Sequence, residues 1–220
     1  MWTLALETTT QQGSLALLRE EACVECAPLA GRAYAATLIP GIESLLAAHA
    51  VTLQQVNLLA VANGPGSFTG TRIGLATVKA LMETLGTPAI AVGTLEAVAA
   101  GVDECKRQPG EVLAVLDAGR GSVYVGIYPE GREFEETATA FATRLQEWAG
   151  AAATPDVTLA GRWPQLHLAG PLLAPLTGAL ALRAWQQVGR GADALTLDAR
   201  YLGARWGGSP LAAMGLAKLP

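Results

Sequence analysis

A chain of 220 residues that is 51% hydrophobic and only 15% charged can bury a sizeable core, which excludes a disordered protein. Its net charge of −4 and isoelectric point near 5.2 exclude nucleic-acid binding through a basic surface of its own, because phosphate affinity needs clustered Lys and Arg. Arg200, Arg205 and Lys218 are too sparse to make a basic stripe.

The mean hydropathy of +0.32 comes without any run of ~20 apolar residues, the length a spanning helix needs. Even Leu172–Val188 is broken by Pro175, Arg183 and two glutamines. The N-terminus, Met1-Trp2-Thr3-Leu4-Ala5-Leu6-Glu7, has no basic segment and no cleavage site, so a cytoplasmic protein without membrane association is expected. Cys23 and Cys26 form a CxxC, but strand residues three apart point to opposite faces, so the pair is read as packing. With Cys105 distant and only His49 and His167, no metal site is expected.

In chain order, Trp2–Thr8 alternates as a strand ending in an acid and threonines. A turn at Gln11–Ser14, a strand at Leu15–Leu18 and the Cys23–Cys26 segment complete a meander. Leu38, Ile42, Leu45 and Leu46 recur at helical spacing up to His49, with Pro40 predicting a kink or a late start. Leu58–Ala62 reads as a buried strand, Gly64–Ser67 as a loop, and Thr69–Leu85 as a helix stopped by Gly86. Ala89–Val92 is a strand, and Thr94 caps a helix over Leu95–Ala100. Glu111–Leu116 and Val123–Tyr128 pair across a turn at Ala118–Gly121. A strand at Glu133–Thr139, a helix near Thr143–Ala149, a strand at Val157–Ala160 and a helix at Leu176–Val188 follow.

The most informative segment is Gly64-Pro65-Gly66-Ser67-Phe68-Thr69-Gly70, with Arg72-Ile73-Gly74 after it, set between a strand and a helix. A helix start beneath a glycine loop favours an anion. Gly64, Gly66, Ser67 and Thr69, with Glu7 and Thr8 on the neighbouring strand, are therefore candidates for a phosphate or nucleotide site; an ordinary tight turn explains the glycines equally well. A P-loop fails, since Gly64 and Gly70 stand too far apart and no Lys follows. The dinucleotide fingerprint fails by one residue, giving GxGxxxG. Gly70 and Gly74 share a helical face with Thr77 and Leu81, and two glycines there permit close approach of another backbone. The reading favours a partner face made of Gly70, Arg72, Gly74, Thr77 and Leu81, with Leu38 and Ile42 on the other helix.

The Leu4-Ala5-Leu6-Glu7-Thr8 opening, the Gly-Pro-Gly-Ser-Phe-Thr-Gly string and Asp117-Ala118 followed by Val123-Tyr124 resemble the TsaB (YeaZ) family. These are companion subunits of the bacterial machinery for threonylcarbamoyladenosine (t6A) in tRNA. The resemblance covers about the first 130 residues, and Tyr201-Leu202 matches the family's end. It implies an α/β, actin-like and Hsp70-like ATPase (ASKHA) fold with two lobes of mixed sheet flanked by helices. The lobes would be 1–105, with the glycine loop and dimerisation helices, and 106–220. It further implies a homodimer when alone and a heterodimer through the same face with a TsaD-type catalytic subunit, which transfers threonylcarbamoyl to N6 of adenosine 37. A TsaE-type ATPase would join, and tRNA would be met only through the complex.

Several positions depart from the family pattern. Glu7 stands where Asp is usual, Asp117-Ala118-Gly119 replaces Asp-Ala-Arg with Arg120 displaced, Ser122 replaces a Glu, and Tyr34 replaces a His. The catalytic relative carries a metal-binding HxxxH where this chain has Thr94 and Val98. The resemblance therefore implies a non-catalytic subunit with no cofactor or metal of its own, ATP or ADP being considered only at the complex interface. The main rival is an independent ATPase or small-molecule kinase of the same fold, although the Thr8–Ser14 hairpin has only one glycine to clasp a phosphate. A peptidase lacks a GxSxG and an evident base for Ser67.

Overall fold

Alternation along the first strand decides which layer packs on which. In β1 (Trp2–Glu7), Leu4 and Leu6 point to one side while Thr3, Ala5 and Glu7 point to the other. The computed structural model describes residues 1–29, 33–100, 111–141, 143, 166–169, 184, 197–200 and 202. β1 pairs antiparallel with β2 (Ser14–Arg19), which pairs antiparallel with β3 (Ala22–Pro28). On its other edge β1 runs parallel to β4 (Val56–Ala62), and β4 runs parallel to β5 (Ala89–Val92). The five-stranded order is β3-β2-β1-β4-β5.

Register turns this alternation into continuous rows across the sheet. Leu17, Leu4, Leu59 and Ala89 line up, as do Leu15, Leu6, Val61 and Ala91, on the face covered by α1 (Tyr34–Ala48) and α2 (Phe68–Leu85). From these helices Leu38, Ile42, Leu45, Leu46, Leu75 and Val78 enter the same apolar cluster. On the opposite face Ala16, Ala5 and Ala60 form a row with Ile90. This row of small side chains lets α3 (Thr94–Ala100) lie close, with Ala97 against it.

The other side of α3 packs on a second sheet. Leu95, Val98 and Ala99 cluster with Ala114, Leu116 and Tyr124. That sheet has the order β8-β7-β6-β9, with β6 (Glu111–Gly119), β7 (Ser122–Tyr128), β8 (Arg132–Thr137) and β9 (Leu166–Ala169). The β6–β7 hairpin turns at Arg120 and Gly121, both with positive φ (54° and 77°), as a tight two-residue turn with right-handed strand twist requires. The succession β1-β2-β3-α1-β4-α2-β5 in a mixed sheet, followed by a second sheet, is the expected α/β architecture of mixed sheets flanked by helices.

Residues 197–200 tie the two sheets together. Arg200 donates its amide to the Asn63 carbonyl (2.7 Å), Asn63 Nδ2 donates to the Asp198 carbonyl (2.9 Å), and Leu197 is buried in the leucine cluster. The Arg200 guanidinium pairs with buried Glu133 on β8 (3.0 Å), whose carboxylate also accepts from the Tyr128 hydroxyl. Burial first, with Glu133 adding to it, pushes the Tyr128 phenol well above its ordinary value, so it remains a donor.

Most expected elements appear within two residues of their places, and three differ. Pro40 does not mark a late start, since α1 begins at Tyr34 and runs through it; Ala36, whose carbonyl can receive no amide from Pro40, is on the exposed side. Thr94 is the first residue of α3 rather than its cap. Strand β9, parallel to β6, was not foreseen. The boundary expected at 101–110 and the Val157–Ala160 strand lie outside the described residues, as do most of the helices expected near 143–149 and 176–188. Among the described residues no helix is long and apolar enough to cross a membrane.

Leu95 is fully buried where α3 meets the second sheet. Leu95→Ala should destabilise the protein by about 2–5 kcal/mol, read as a lower urea midpoint, since the two flanking layers cannot close over the gap.

Candidate functional site

The C-terminal ends of parallel β1 and β4 lie side by side, and the loops that leave them form one cluster, the place where open α/β sheets bind ligands. At its centre is Glu7, fully buried on the alanine side of the sheet. Its Oε1 accepts from the Thr9 amide (2.5 Å), the Thr9 hydroxyl (2.5 Å) and the Thr10 amide (2.9 Å), and its Oε2 from the Thr10 hydroxyl (2.7 Å). Burial raises the carboxyl's pKa above its ordinary 4.5, and the bonds from Thr9 and Thr10 oppose that rise.

The turn so folded is gripped from three sides. Tyr34 at the start of α1 donates its hydroxyl to the Thr10 carbonyl (2.8 Å) and accepts from the Gly13 amide (2.7 Å). The Thr9 hydroxyl meets that of Thr94 (3.0 Å), whose amide donates to the Gly64 carbonyl (2.8 Å). From the α2 side the Ser67 amide donates to the Thr9 carbonyl (2.6 Å), and the Thr8 hydroxyl donates to the Gly70 carbonyl (2.7 Å). Ser67 caps α2, its Oγ accepting from the Gly70 amide (3.2 Å).

The glycines permit this approach. A Cβ on Gly66 would strike the Thr9 carbonyl, one on Gly70 the Thr8 carbonyl, and one on Gly74 would lie 2.5 Å from Thr8 Oγ1. Gly64 is required twice over, having φ +104° and the Arg200 carbonyl against it.

The comparisons with known proteins agree with this architecture. Residues 28–155 match the family model TsaD, tRNA N6-adenosine threonylcarbamoyltransferase. The tRNA threonylcarbamoyladenosine biosynthesis protein TsaB of Bacillus subtilis is 35% identical over 129 residues, 58% of this chain and 55% of its own length. Its Haemophilus influenzae namesake is 36% identical over 121 residues, 55% of this chain and 51% of its own. Among solved structures, YeaZ from Pseudomonas aeruginosa superposes with a TM-score of 0.67 at 27% identity, over 91% of this chain and 99% of that one. The chain belongs to the TsaB (YeaZ) family. It spans about half the length of the curated TsaB relatives it matches.

Within this TsaB-family fold, Glu7, Thr8, Gly64, Gly66 and Ser67 come together around the Thr9–Thr10 turn. The amides of Ser67 and Gly70, however, are spent inside the chain on Thr9 and on Ser67 itself. Thr69 lies on the exposed side of the helix start.

The expected partner face needs correction. Leu38 and Ile42 are each 1% exposed and belong to the leucine cluster, so they cannot touch another protein. Gly70 and Gly74 are buried as well, and the backbone they admit is the chain's own at Thr8. Thr77 and Leu81 are half-buried, and Leu81 packs against the leucine cluster. Arg72 is exposed, with its guanidinium 3.7 Å from the Phe68 ring centroid.

Sequence reasoning missed the roles of Tyr34, Thr9 and Thr94. The available signal was that hydroxyl-bearing residues at 8, 9, 10, 34 and 94 were too many to leave without partners beside a buried acid. Thr94 and Val98 do not suit a metal, since the Thr94 hydroxyl is bonded to Thr9 and Val98 is an apolar side chain in the core. Among the described residues no three His, Cys, Asp or Glu side chains gather to hold an ion.

Two predictions concern this cluster. Glu7 has a raised folded pKa, so its contribution to stability is fully present below about pH 4.5 and lost as pH rises through the folded value. Glu7→Gln cannot ionise, so the variant should gain on the wild type in urea unfolding as pH rises above about 4.5 and through the raised folded value; parallel pH profiles would contradict that rise. Gly74→Leu should destabilise the fold by about 3 kcal/mol, against less than ~1 kcal/mol gained in helix propensity. A fully stable variant that had only lost an association would return this glycine to the partner face.

Proposed function

We propose that this chain is a non-catalytic companion subunit in t6A formation. It would dimerise with a TsaD-type catalytic subunit that transfers threonylcarbamoyl to N6 of adenosine 37 in tRNA. The observation that carries the reading is the use made of the candidate nucleotide-site acid and of the two positions where the catalytic relative holds a metal. Glu7 is committed to four donors of its own turn, Thr94 to Thr9, and Val98 to the core. What the cluster can do chemically is hold shape, not move a group. The t6A role of the relatives, reflected in their names, supports the same reading.

On this reading the clasp around Glu7 fixes α1 and α2 side by side as a rigid docking surface. Its exposed part carries Ala35, Ala36, Ile39, Arg72 and Ala76, and Ile39 is, among the described residues, one of few large apolar side chains left open, at 46% exposure. The same surface would serve a homodimer when the catalytic subunit is absent. A TsaE-type ATPase and tRNA would be met through the assembly, which suits a chain with a net charge of −4. We assign no cofactor to this chain; ATP or ADP would belong to the assembled interface.

The test is association and transfer with the TsaD-type subunit of the same cell. The chain should bind that subunit, transfer to tRNA should require both, and this chain alone should transfer nothing. Ile39→Glu should weaken both homodimer and heterodimer by about 2 kcal/mol, roughly 30-fold in Kd, while leaving the thermal midpoint unchanged. Robust ATP turnover by the isolated chain, with no association, would favour the independent ATPase instead.

A further inference from the structure

On an unbroken strand, Cys23 and Cys26 would face opposite sides of the sheet. The β2–β3 register does not stay unbroken. Leu17 faces Glu25 while Leu18 faces Cys23, which leaves Val24 without a partner position on β2, in a bulge. The extra residue shifts the parity of everything before it. Glu25 and Ala27 keep to the helix-covered side, where Glu25 pairs with His49 (2.6 Å) and Ala27 packs on the leucine cluster. Cys26 packs on the alanine side, and the bulge carries Cys23 around to join it. The two sulfurs end 3.0 Å apart, corrected from the opposed placement that simple alternation predicts. Cys23 is exposed and Cys26 half-buried, so a reagent in water reaches the first thiol more readily than the second.

We propose that Cys23 and Cys26 are a dithiol modification site that closes to an intrachain disulfide by exchange with a small-molecule disulfide. The Cys23 thiolate attacks one sulfur of the reagent, forming a mixed disulfide and releasing one small thiolate. The Cys26 thiolate then attacks Cys23 Sγ, forming the protein disulfide and expelling the second small thiolate. The two protons lost by the protein thiols end on the two released thiols. Two protein thiols are oxidised and one reagent disulfide is reduced. Two features favour closure over a lasting mixed disulfide: the resolving sulfur is already at contact distance, and the bulge holds it there. The product is a short ring across the bulge, pinning Val24 on β3, the outer strand of the five-stranded sheet. A pinned bulge keeps that edge from offering a straight ladder to another chain. The proposal is independent of the companion-subunit reading, because it uses neither the Glu7 cluster nor the α1–α2 surface.

The experiment uses the full chain with Cys105→Ser, so that only this pair can react, and oxidised glutathione as the reagent. The expected product loses about 2 Da, retains no alkylatable thiol, and yields a Cys23–Cys26 linked peptide in a non-reduced digest; dithiothreitol restores both thiols. Its rate should not change with protein concentration. Cys26→Ser in the same background should instead stop at one glutathione adduct on Cys23. Two stable adducts, disulfide-linked dimers, or two thiols still open to alkylation would each overturn the proposal.

Discussion

The burial of one carboxyl group governs the loop cluster at the ends of β1 and β4. Glu7 closes β1 with its side chain on the alanine face, out of water, where an acid without donors would be intolerable. The nearest donors are the amides and hydroxyls of Thr9 and Thr10, and they reach Glu7 only if the chain turns back sharply after the strand. That turn projects the Thr8 and Thr9 carbonyls toward α2, which can then approach only where it has no side chains. Gly66, Gly70 and Gly74 are the consequence. Tyr34 and Thr94 close the remaining sides. A single desolvated acid thereby links β1, the glycine loop and all three N-terminal helices.

The glycine-rich string therefore has a structural meaning different from its appearance. Gly70 and Gly74 at helical spacing suggest a seam for a second helix, yet the approaching backbone belongs to the same chain. What the clasp leaves open to solvent is the far side of α1 and α2, where Ala35, Ala36, Ile39, Arg72 and Ala76 are exposed. The position where open α/β sheets bind ligands is used here to hold the chain's own turn in place.

The two sheets are joined by small contacts placed where the chain can bring its backbone close. Alanines at 5, 16 and 60 let α3 settle on the first sheet while its other side buries Leu95 and Val98 on the second. Residues 197–200 then cross from Asn63 to β8, where Arg200 is neutralised by Glu133. That ion pair removes Arg200 from the short list of cations able to meet a phosphate backbone, consistent with the acidic balance of the whole chain.

By itself the sequence determined strands β1 to β8, α2 to within a residue of its start and its Gly86 stop, the helical spacing of Leu38, Ile42, Leu45 and Leu46, and the family, because alternation, periodicity and a long motif string are local. It also placed Glu7, Thr8 and the glycine loop among the informative residues. Tertiary structure alone decided what those residues touch. Whether Leu38 and Ile42 faced a partner or the core depended on which side of α1 met the sheet, and periodicity marks an apolar face without naming its occupant. Whether Gly70 and Gly74 admitted a foreign helix or the chain's own turn depended on the path after Glu7, which is set by a buried acid seeking donors. The meeting of Cys23 with Cys26 depended on one unpaired residue in the β2–β3 register, and register is a relation between two strands that neither carries alone.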